Sequence, residues 1–324
     1  MADLFENLKN QIKGKSIRIV LPEANDLRII EAASRLSAEE LVNVILVGNV
    51  EETKNLASEN NFDVSDCEIL DPSKYDKYDQ MVESFVERRK GKATEEEARQ
   101  LLLNANYFGT MLVYMGLADG LVSGATHSTG DTVRPGLQII KTKPGVSKVF
   151  GYFIMQREDE RYIFADCAIN PNPSSQDLAE FAIESAKAAE MFGIEPKVSL
   201  LSFSTNGSAK TEETDKIIKA VAIAKERAPE LEIDGEMQFD AAFVPKVAKK
   251  KYPESNVAGQ AKVFVFPDLN SGNIGYKIAQ RLGNFEAVGP VLAGINAPVN
   301  DLSRGCNADD AYKTAILTAA QSLM

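Results

Sequence analysis

Apolar positions along this chain fall into two alternating patterns. Short, mostly apolar runs at 17–21, 42–47, 118–122, 198–203, 263–266 and 288–292 are strand-sized, the first stopped by Pro22 and the second by Gly48-Asn49. Between them apolar residues recur every three to four positions, as in amphipathic helices. Leu4, Phe5, Leu8 and Ile12 mark a helix over 2–12. Ile29, Ile30, Ala33 and Leu36 mark one capped by Asp26, and Met81, Val82, Phe85 and Val86 mark one over 80–90. Ile217, Val221, Ala224 and Ala228 form another such face, and Tyr312, Ile316, Ala319 and Leu323 the last, over 311–323. Thr94 to Glu97 reads as a capping box, and Ser174 to Asp177 caps a helix carrying Leu178, Phe181 and Phe192. Continuous apolar strands alternating with amphipathic helices predict parallel sheet covered on both faces.

The pattern changes once. Residues 141–146, with Pro144-Gly145, read as a linker. Beyond them 149–155 and 162–168 read as two strands of an antiparallel hairpin. A second domain is expected to begin there. Residues 246–262 read as irregular, and 294–299 lead back toward the C-terminal helix.

Composition narrows the function classes. A chain of 324 residues is longer than one core ordinarily serves. Its formal net charge of −11 argues against nucleic acid and anionic membranes as partners. No apolar run approaches a membrane span, and the first residues lack the basic-then-apolar design of a signal peptide, so a cytoplasmic protein is expected. Three widely spaced cysteines, Cys67, Cys167 and Cys306, suggest neither a disulfide framework nor a zinc site, and the single histidine, His127, excludes a two-histidine metal site.

The candidate chemistry sits in loops. Ser123–Gly124–Ala125–Thr126–His127–Ser128–Thr129–Gly130–Asp131–Thr132 follows a strand, with Arg134 beside it and Pro135 placed to open a helix. Ser204 to Lys210 and Pro267 to Gly275 are two more such loops, the third opening a helix at about Tyr276. Small residues there let backbone N–H groups approach phosphate oxygens, and ligands of open α/β sheets bind at the carboxyl ends of strands. None matches a Walker or dinucleotide fingerprint. On the helix over 80–90, Arg89 falls inside the apolar stripe and Arg88 at its edge. Near the C-terminus, Asn300–Asp301–Leu302–Ser303–Arg304–Gly305–Cys306–Asn307–Ala308–Asp309–Asp310 gathers a hydroxyl, a guanidinium, a thiol and carboxylates at a helix N-terminus. Asn307 and Asp310 also have the spacing of a cap without chemistry.

Ser123–Gly124–Ala125–Thr126–His127–Ser128, Thr132–Val133–Arg134–Pro135, the segment from Pro267 to Lys277 and Asn300–Asp301–Leu302–Ser303–Arg304–Gly305 together resemble the phosphate acetyltransferases (phosphotransacetylases), and the similarity runs essentially the length of the chain. The resemblance implies reversible acetyl transfer, acetyl-CoA + phosphate = CoA + acetyl phosphate, by thiolate attack in a ternary complex. It implies two three-layer α/β domains flanking a cleft, like isocitrate and isopropylmalate dehydrogenases. Residues 1–142 with 298–324 would form the first, and 143–297 the second, inserted one. It also implies a homodimer, with acetyl-CoA, phosphate and acetyl phosphate as small-molecule substrates and no permanently bound cofactor or metal.

The family's catalytic residues match Ser303, Arg304 and Asp310, with Asp310 taking the CoA thiol proton. Its CoA or phosphate contacts match Arg89 and Arg134, with Ser128, Thr129, Asn273 and Lys277 as further contacts. Ordinary pKa values make proton transfer from a thiol to an aspartate uphill by roughly 6 kcal/mol, so cation stabilisation by Arg304 is expected to help. Asp301 and Asp309 read as structural, His127 as a loop organiser, and Cys167 and Cys306 as buried small residues. Rival readings are a phosphate acyltransferase for a longer chain such as butyryl, an NAD-binding dehydrogenase-like protein, and a non-catalytic binding module.

Overall fold

The computed structural model describes residues 4–323. In chain order the elements are α1 Leu4–Ile12, β1 Arg18–Leu21, α2 Leu27–Ala38, β2 Asn43–Val47, α3 Val50–Glu59, β3 Glu68–Leu70, α4 Tyr78–Arg89, α5 Glu95–Leu101, α6 Ala105–Tyr114, β4 Gly120–Ser123 and α7 Thr129–Ile139. Then follow β5 Phe150–Arg157, β6 Glu160–Ala165, α8 Ser175–Met191, β7 Val198–Leu201, α9 Glu212–Arg227, β8 Ile233–Met237, α10 Phe239–Phe243, α11 Pro245–Lys251, β9 Val263–Val265, α12 Leu269–Leu282 and β10 Glu286–Ala293. The chain closes with β11 Val299–Asp301 and α13 Ala308–Gln321. Residues 2 and 3 of the helix expected over 2–12 lie outside the described residues.

Two compact units result. One holds the residues up to Lys143 and those from Ile295 onward, the other Pro144–Gly294. The first is built on a parallel sheet in the order β11-β4-β1-β2-β3. Strands β1, β2 and β4 are buried on both faces, which is why Ile19, Val20, Leu21, Val44, Ile45 and Leu46 run as unbroken apolar stretches. The order reverses between β1 and β4, so the loops after these two strands meet at the switch point of the sheet. The second unit has the order β10-β5-β6-β9-β7-β8, with β10, β5 and β6 antiparallel and the rest parallel. Among the described residues no helix is long and apolar enough to cross a membrane.

Local signals explain the helix starts. Asp26 accepts from the Arg28 N–H at the start of α2, and Thr94 with Glu97 and Ser174 with Asp177 close capping boxes on α5 and α8. Four expectations need correction. Pro135 does not open a helix but stands inside α7, which starts at Thr129 under a Ser128 cap. The carbonyl of Asp131, which the Pro135 nitrogen cannot reach as donor, accepts instead from Asn106 Nδ2 at 3.4 Å. The third loop is mostly helix: α12 starts at Leu269, capped by Asp268, and not near Tyr276. Its glycines let the helix lie close to its neighbours, since a Cβ on Gly272 would stand 2.3 Å from the Asp166 carbonyl oxygen. Within 246–262, residues up to Lys251 belong to α11. Finally, the return from 294 includes β11, a short strand that pairs with β4 and carries Asn300 and Asp301 into the sheet.

Candidate active site

The loop after β4 is organised by a residue that the sequence did not single out. Glu23, directly after Pro22 at the end of β1, is 1% exposed. Its carboxylate accepts the backbone N–H groups of Gly124, Ala125, Thr126 and His127 at 3.0, 2.9, 2.7 and 3.2 Å, and the Thr126 hydroxyl at 2.8 Å. Nδ1 of His127 lies 2.7 Å from Glu23 Oε1, so this histidine organises the loop as expected. Burial pushes the Glu23 carboxyl up, but the Thr126 amide, the His127 ring and the Thr126 hydroxyl outweigh it and hold the group below its ordinary value. The amides of 124–127, expected to cradle a phosphate, are therefore already occupied. What remains open is the first turn of α7, where the N–H groups of Thr129 and Gly130 have no acceptor among the described residues.

The 302–307 turn lies against this loop. Leu302 N–H donates to the Ser123 carbonyl at 2.7 Å. Gly124, at φ +115°, approaches so closely that a Cβ there would stand 2.4 Å from Asp301 Oδ1 and 2.5 Å from the Leu302 carbonyl oxygen. Arg28, a second residue not foreseen, ties three segments together. Its Nη1 donates to the carbonyls of Arg304 and Cys306, both at 2.9 Å, its Nη2 to the Ala125 carbonyl at 2.8 Å, and its Nε and Nη2 to Asp26 at 2.9 and 2.7 Å. The backbone of the Ser303–Arg304 turn is thus fixed while both side chains stay exposed. Ser303 Oγ accepts from Gly305 N–H at 3.2 Å, leaving its hydrogen free to donate. The Arg304 guanidinium has no partner among the described residues.

Asp310 forms the cap that the spacing allowed. Its Oδ2 accepts from Asn307 N–H and its own N–H donates to Asn307 Oδ1, both at 2.9 Å. It is exposed, and its second oxygen makes no hydrogen bond among the described residues. Asp309 is held by Arg35 and Lys313, each at 3.0 Å, and is structural. Cys306 and Cys167 are buried, and burial raises both thiols, so neither is activated as a nucleophile.

Thr129 joins this cluster by donating from Oγ1 to Asp301 Oδ2 at 2.6 Å. Ser128 Oγ is committed to Asp131 at 2.7 Å, as the cap of α7. Arg134 is exposed on α7, with Nη1 3.9 Å from Asp131. Arg89 is not part of the cluster. Arg88 and Arg89 both reach the carboxyl end of α7: Arg88 donates to the carbonyls of Ile139 and Ile140, and Arg89 to that of Gln138 at 3.4 Å. Cations on a helix C-terminus are favourable, which accounts for two half-buried arginines on an apolar stripe. Gln138 lies nine residues from Thr129, roughly 14 Å along the helix axis. There Arg89, Lys92, Thr94, Gln100, Tyr107 and Gln138 line a pocket of about 740 Å³. Asn273 and Lys277 belong to the other unit, on α12, where Lys277 Nζ donates to Asn273 Oδ1 at 2.7 Å and Asn273 Nδ2 to the Cys167 carbonyl at 3.1 Å.

Residues 3–319 match the family model described as phosphate acetyl/butaryl transferase. The chain belongs to that family. A phosphate acetyltransferase of Bacillus subtilis (strain 168) is 64% identical over 323 residues, covering all of both chains. A solved phosphotransacetylase from Streptococcus pyogenes superposes with a TM-score of 0.97 at 58% identity, covering 99% of this chain and 98% of that one. The EutD phosphotransacetylase from Staphylococcus aureus gives 0.95 at 58% identity, with the same coverage. This transferase chain thus has the mixed α/β fold of the phosphotransacetylases, and it is an acyltransferase.

Proposed function

We infer that this chain catalyses the reversible transfer of an acetyl group between coenzyme A and phosphate, with Ser303, Arg304 and Asp310 at the reacting centre. The full-length similarity to phosphate acetyltransferases supports the reaction. The role assignment rests on one observation: Ser303 and Arg304 present free donors from a turn whose backbone Arg28 fixes. Donors held in place before charge develops stabilise an oxyanion without reorganising. Arg304 thus serves the tetrahedral oxyanion and the departing thiolate, and Ser303 donates to the same oxygen. The first turn of α7, with Thr129 and its open amides, is the phosphate subsite, and Arg134 contributes charge to it. Ser128 acts as the cap that shapes that turn. Arg89 is too distant for one phosphate to bridge it to Thr129, so we assign it to a remote part of CoA. Asn273 and Lys277 remain proposed phosphate contacts from the second unit. Thiol release from acetyl-CoA that depends on phosphate or arsenate tests the reaction, and a turnover of butyryl-CoA equal to that of acetyl-CoA would shift the acyl preference.

Asp310 is the proposed base for the CoA thiol. Its hydrogen bond with the Asn307 amide needs only an accepting oxygen, which asparagine retains, so Asp310→Asn keeps the cap and removes the base. Turnover is expected to fall about 100-fold with the KM for each substrate within two-fold. A full-rate variant excludes Asp310 as base.

We further propose that the two units are the two domains, that the protein works in the cytoplasm, and that it is a homodimer joined through the second unit. Ile274, Ile278 and Leu282 stand 57%, 54% and 81% exposed at four-residue spacing on one face of α12. Beside them Phe239 and Phe243 of α10 are also exposed, and these helices border an apolar pocket of about 430 Å³ lined by Phe164, Phe264, Phe266 and Phe285. A patch of this kind is covered in most soluble proteins. Leu282→Glu with Ile278→Glu is expected to give a monomer by light scattering, against a dimer for the parent. A double variant with unchanged mass sinks this interface.

A further inference from the structure

From sequence Asp301 reads as structural, yet its surroundings are those of a working group. It ends β11, two residues before Ser303, and is 4% exposed. Oδ2 accepts from the exposed Thr129 hydroxyl at 2.6 Å, while Oδ1 is buried with no hydrogen-bond partner among the described residues. No cation pairs with it among the described residues. Of the elements packed on β11, β4 carries no charge, and on α7 Asp131 and Arg134 face each other at 3.9 Å. On α13, Asp309 and Lys313 are paired and Asp310 is bonded to Asn307. Glu23, whose Oε1 faces the His127 ring, adds negative charge. Burial therefore pushes Asp301 up to about 6, with Thr129 and, more weakly, the buried Thr132 hydroxyl opposing and Glu23 reinforcing.

Taking the reaction assigned above as given, we propose that Asp301 is a positioning residue that sets the proton on Thr129, so that the Thr129 hydroxyl takes a proton from, or gives one to, the phosphate oxygen that bonds to the acetyl carbon. An ionised Asp301 fixes the Thr129 hydrogen inward and leaves the hydroxyl oxygen as an acceptor. A protonated Asp301 donates to Thr129 and turns that hydrogen outward.

When phosphate attacks acetyl-CoA, the P–O–H proton passes to Thr129 Oγ1 as the Thr129 proton passes to Asp301 Oδ2. The phosphate oxygen forms the bond to the acetyl carbon, the C–S bond breaks, and the thiolate takes its proton from Asp310. Asp301 then returns its proton to solvent, and Asp310 regains one. In reverse, Asp310 takes the thiol proton, sulfur attacks the carbonyl carbon, the C–O bond to phosphate breaks, and the leaving oxygen takes the Thr129 proton while Asp301 supplies another to Thr129. Phosphate and thiol exchange one proton overall, and no other reactant is consumed.

The test measures acetyl phosphate formation by the wild type, Asp301→Asn, Thr129→Val and Thr129→Ser across pH 5 to 9, with melting temperature alongside. Asparagine keeps the shape but cannot carry the proton. Asp301→Asn is expected to lower kcat about 100-fold, leaving the KM for acetyl-CoA within two-fold. The wild type is expected to lose kcat as pH falls through about 6, and the variant to lack that limb. Thr129→Val gives a similar loss, Thr129→Ser restores most of the rate, and a double variant carrying Asp301→Asn with Thr129→Val is no slower than either single one. Asp301→Asn within three-fold of wild type with its acid limb intact overturns the proposal. So do multiplicative losses in the double variant, or a loss of rate tracking a fall in melting temperature. A wild type without phosphate-dependent thiol release refutes the assigned reaction and, with it, this role for Asp301.

Discussion

Arg304→Ala lowers kcat for acetyl phosphate formation about 1,000-fold, the cost of losing one preorganised donor aimed at developing charge. The structure separates this loss from a folding defect. The Arg304 side chain is exposed and without a partner among the described residues, and what holds the turn is its backbone carbonyl, bonded to Arg28 whatever side chain stands there. The melting temperature is therefore expected to change little, since exposed substitutions away from caps and networks stay within about 0.5 kcal/mol. Arg304→Lys keeps the charge but not the planar fork, and should lie between alanine and the parent. Steady-state kinetics with acetyl-CoA and phosphate decide the matter. A rate for Arg304→Ala within five-fold of wild type removes Arg304 from the reacting centre.

That turn was legible in the sequence because its residues are contiguous. Ser303, Arg304 and Asp310 could be placed at a helix N-terminus from local spacing alone, and the Asn307–Asp310 cap followed the same rule. The strand–helix alternation of the first unit was readable for a similar reason, since strands buried on both faces leave unbroken apolar runs. Where the sequence misled, tertiary contacts had overridden a local preference. Pro135 reads as a helix opener until Asn106, from another helix, takes the carbonyl that it leaves unpaired. Gly272 and Gly275 read as loop because glycine is costly in helices, but α12 needs them to lie against Asp166 and the ring of Phe266.

The residues that were missed have no local signature at all. Arg28 reads as a helix residue near an Asp26 cap, and its three carbonyl contacts come from positions about 100 and 280 residues away. Asp301 looked like one more acid in a polar stretch because burial is not visible in a strand of three residues. The one available hint for Glu23 was its place: a lone acid just past a buried strand and a proline, at the end of the sheet where ligands gather.

Glu23→Ala is expected to destabilise the first unit by about 3–5 kcal/mol, the cost typical of removing one partner from a buried charged network. Four backbone N–H groups converge on the carboxylate, and no water-facing route is open to the amides of Gly124 and Ala125, which are buried. Glu23→Gln keeps the volume but turns an NH2 group toward donors, so it should recover only part of the loss. The sign of the pH effect is fixed by the depressed carboxyl. Because its folded value lies below the unfolded one, near 4.3 for glutamate, the stabilisation is fully present above that pH. It is lost as pH falls through the folded value. Urea unfolding of wild type and Glu23→Ala at neutral pH measures the difference, and the gap between them should narrow in acid. Amide exchange localises it: N–H groups 124–127 should exchange faster in Glu23→Ala, while those of β2, beyond β1, keep their protection. A loss under about 1 kcal/mol, or unchanged exchange at 124–127, would mean that the loop holds its shape without Glu23, and its amides would again be candidates for binding phosphate.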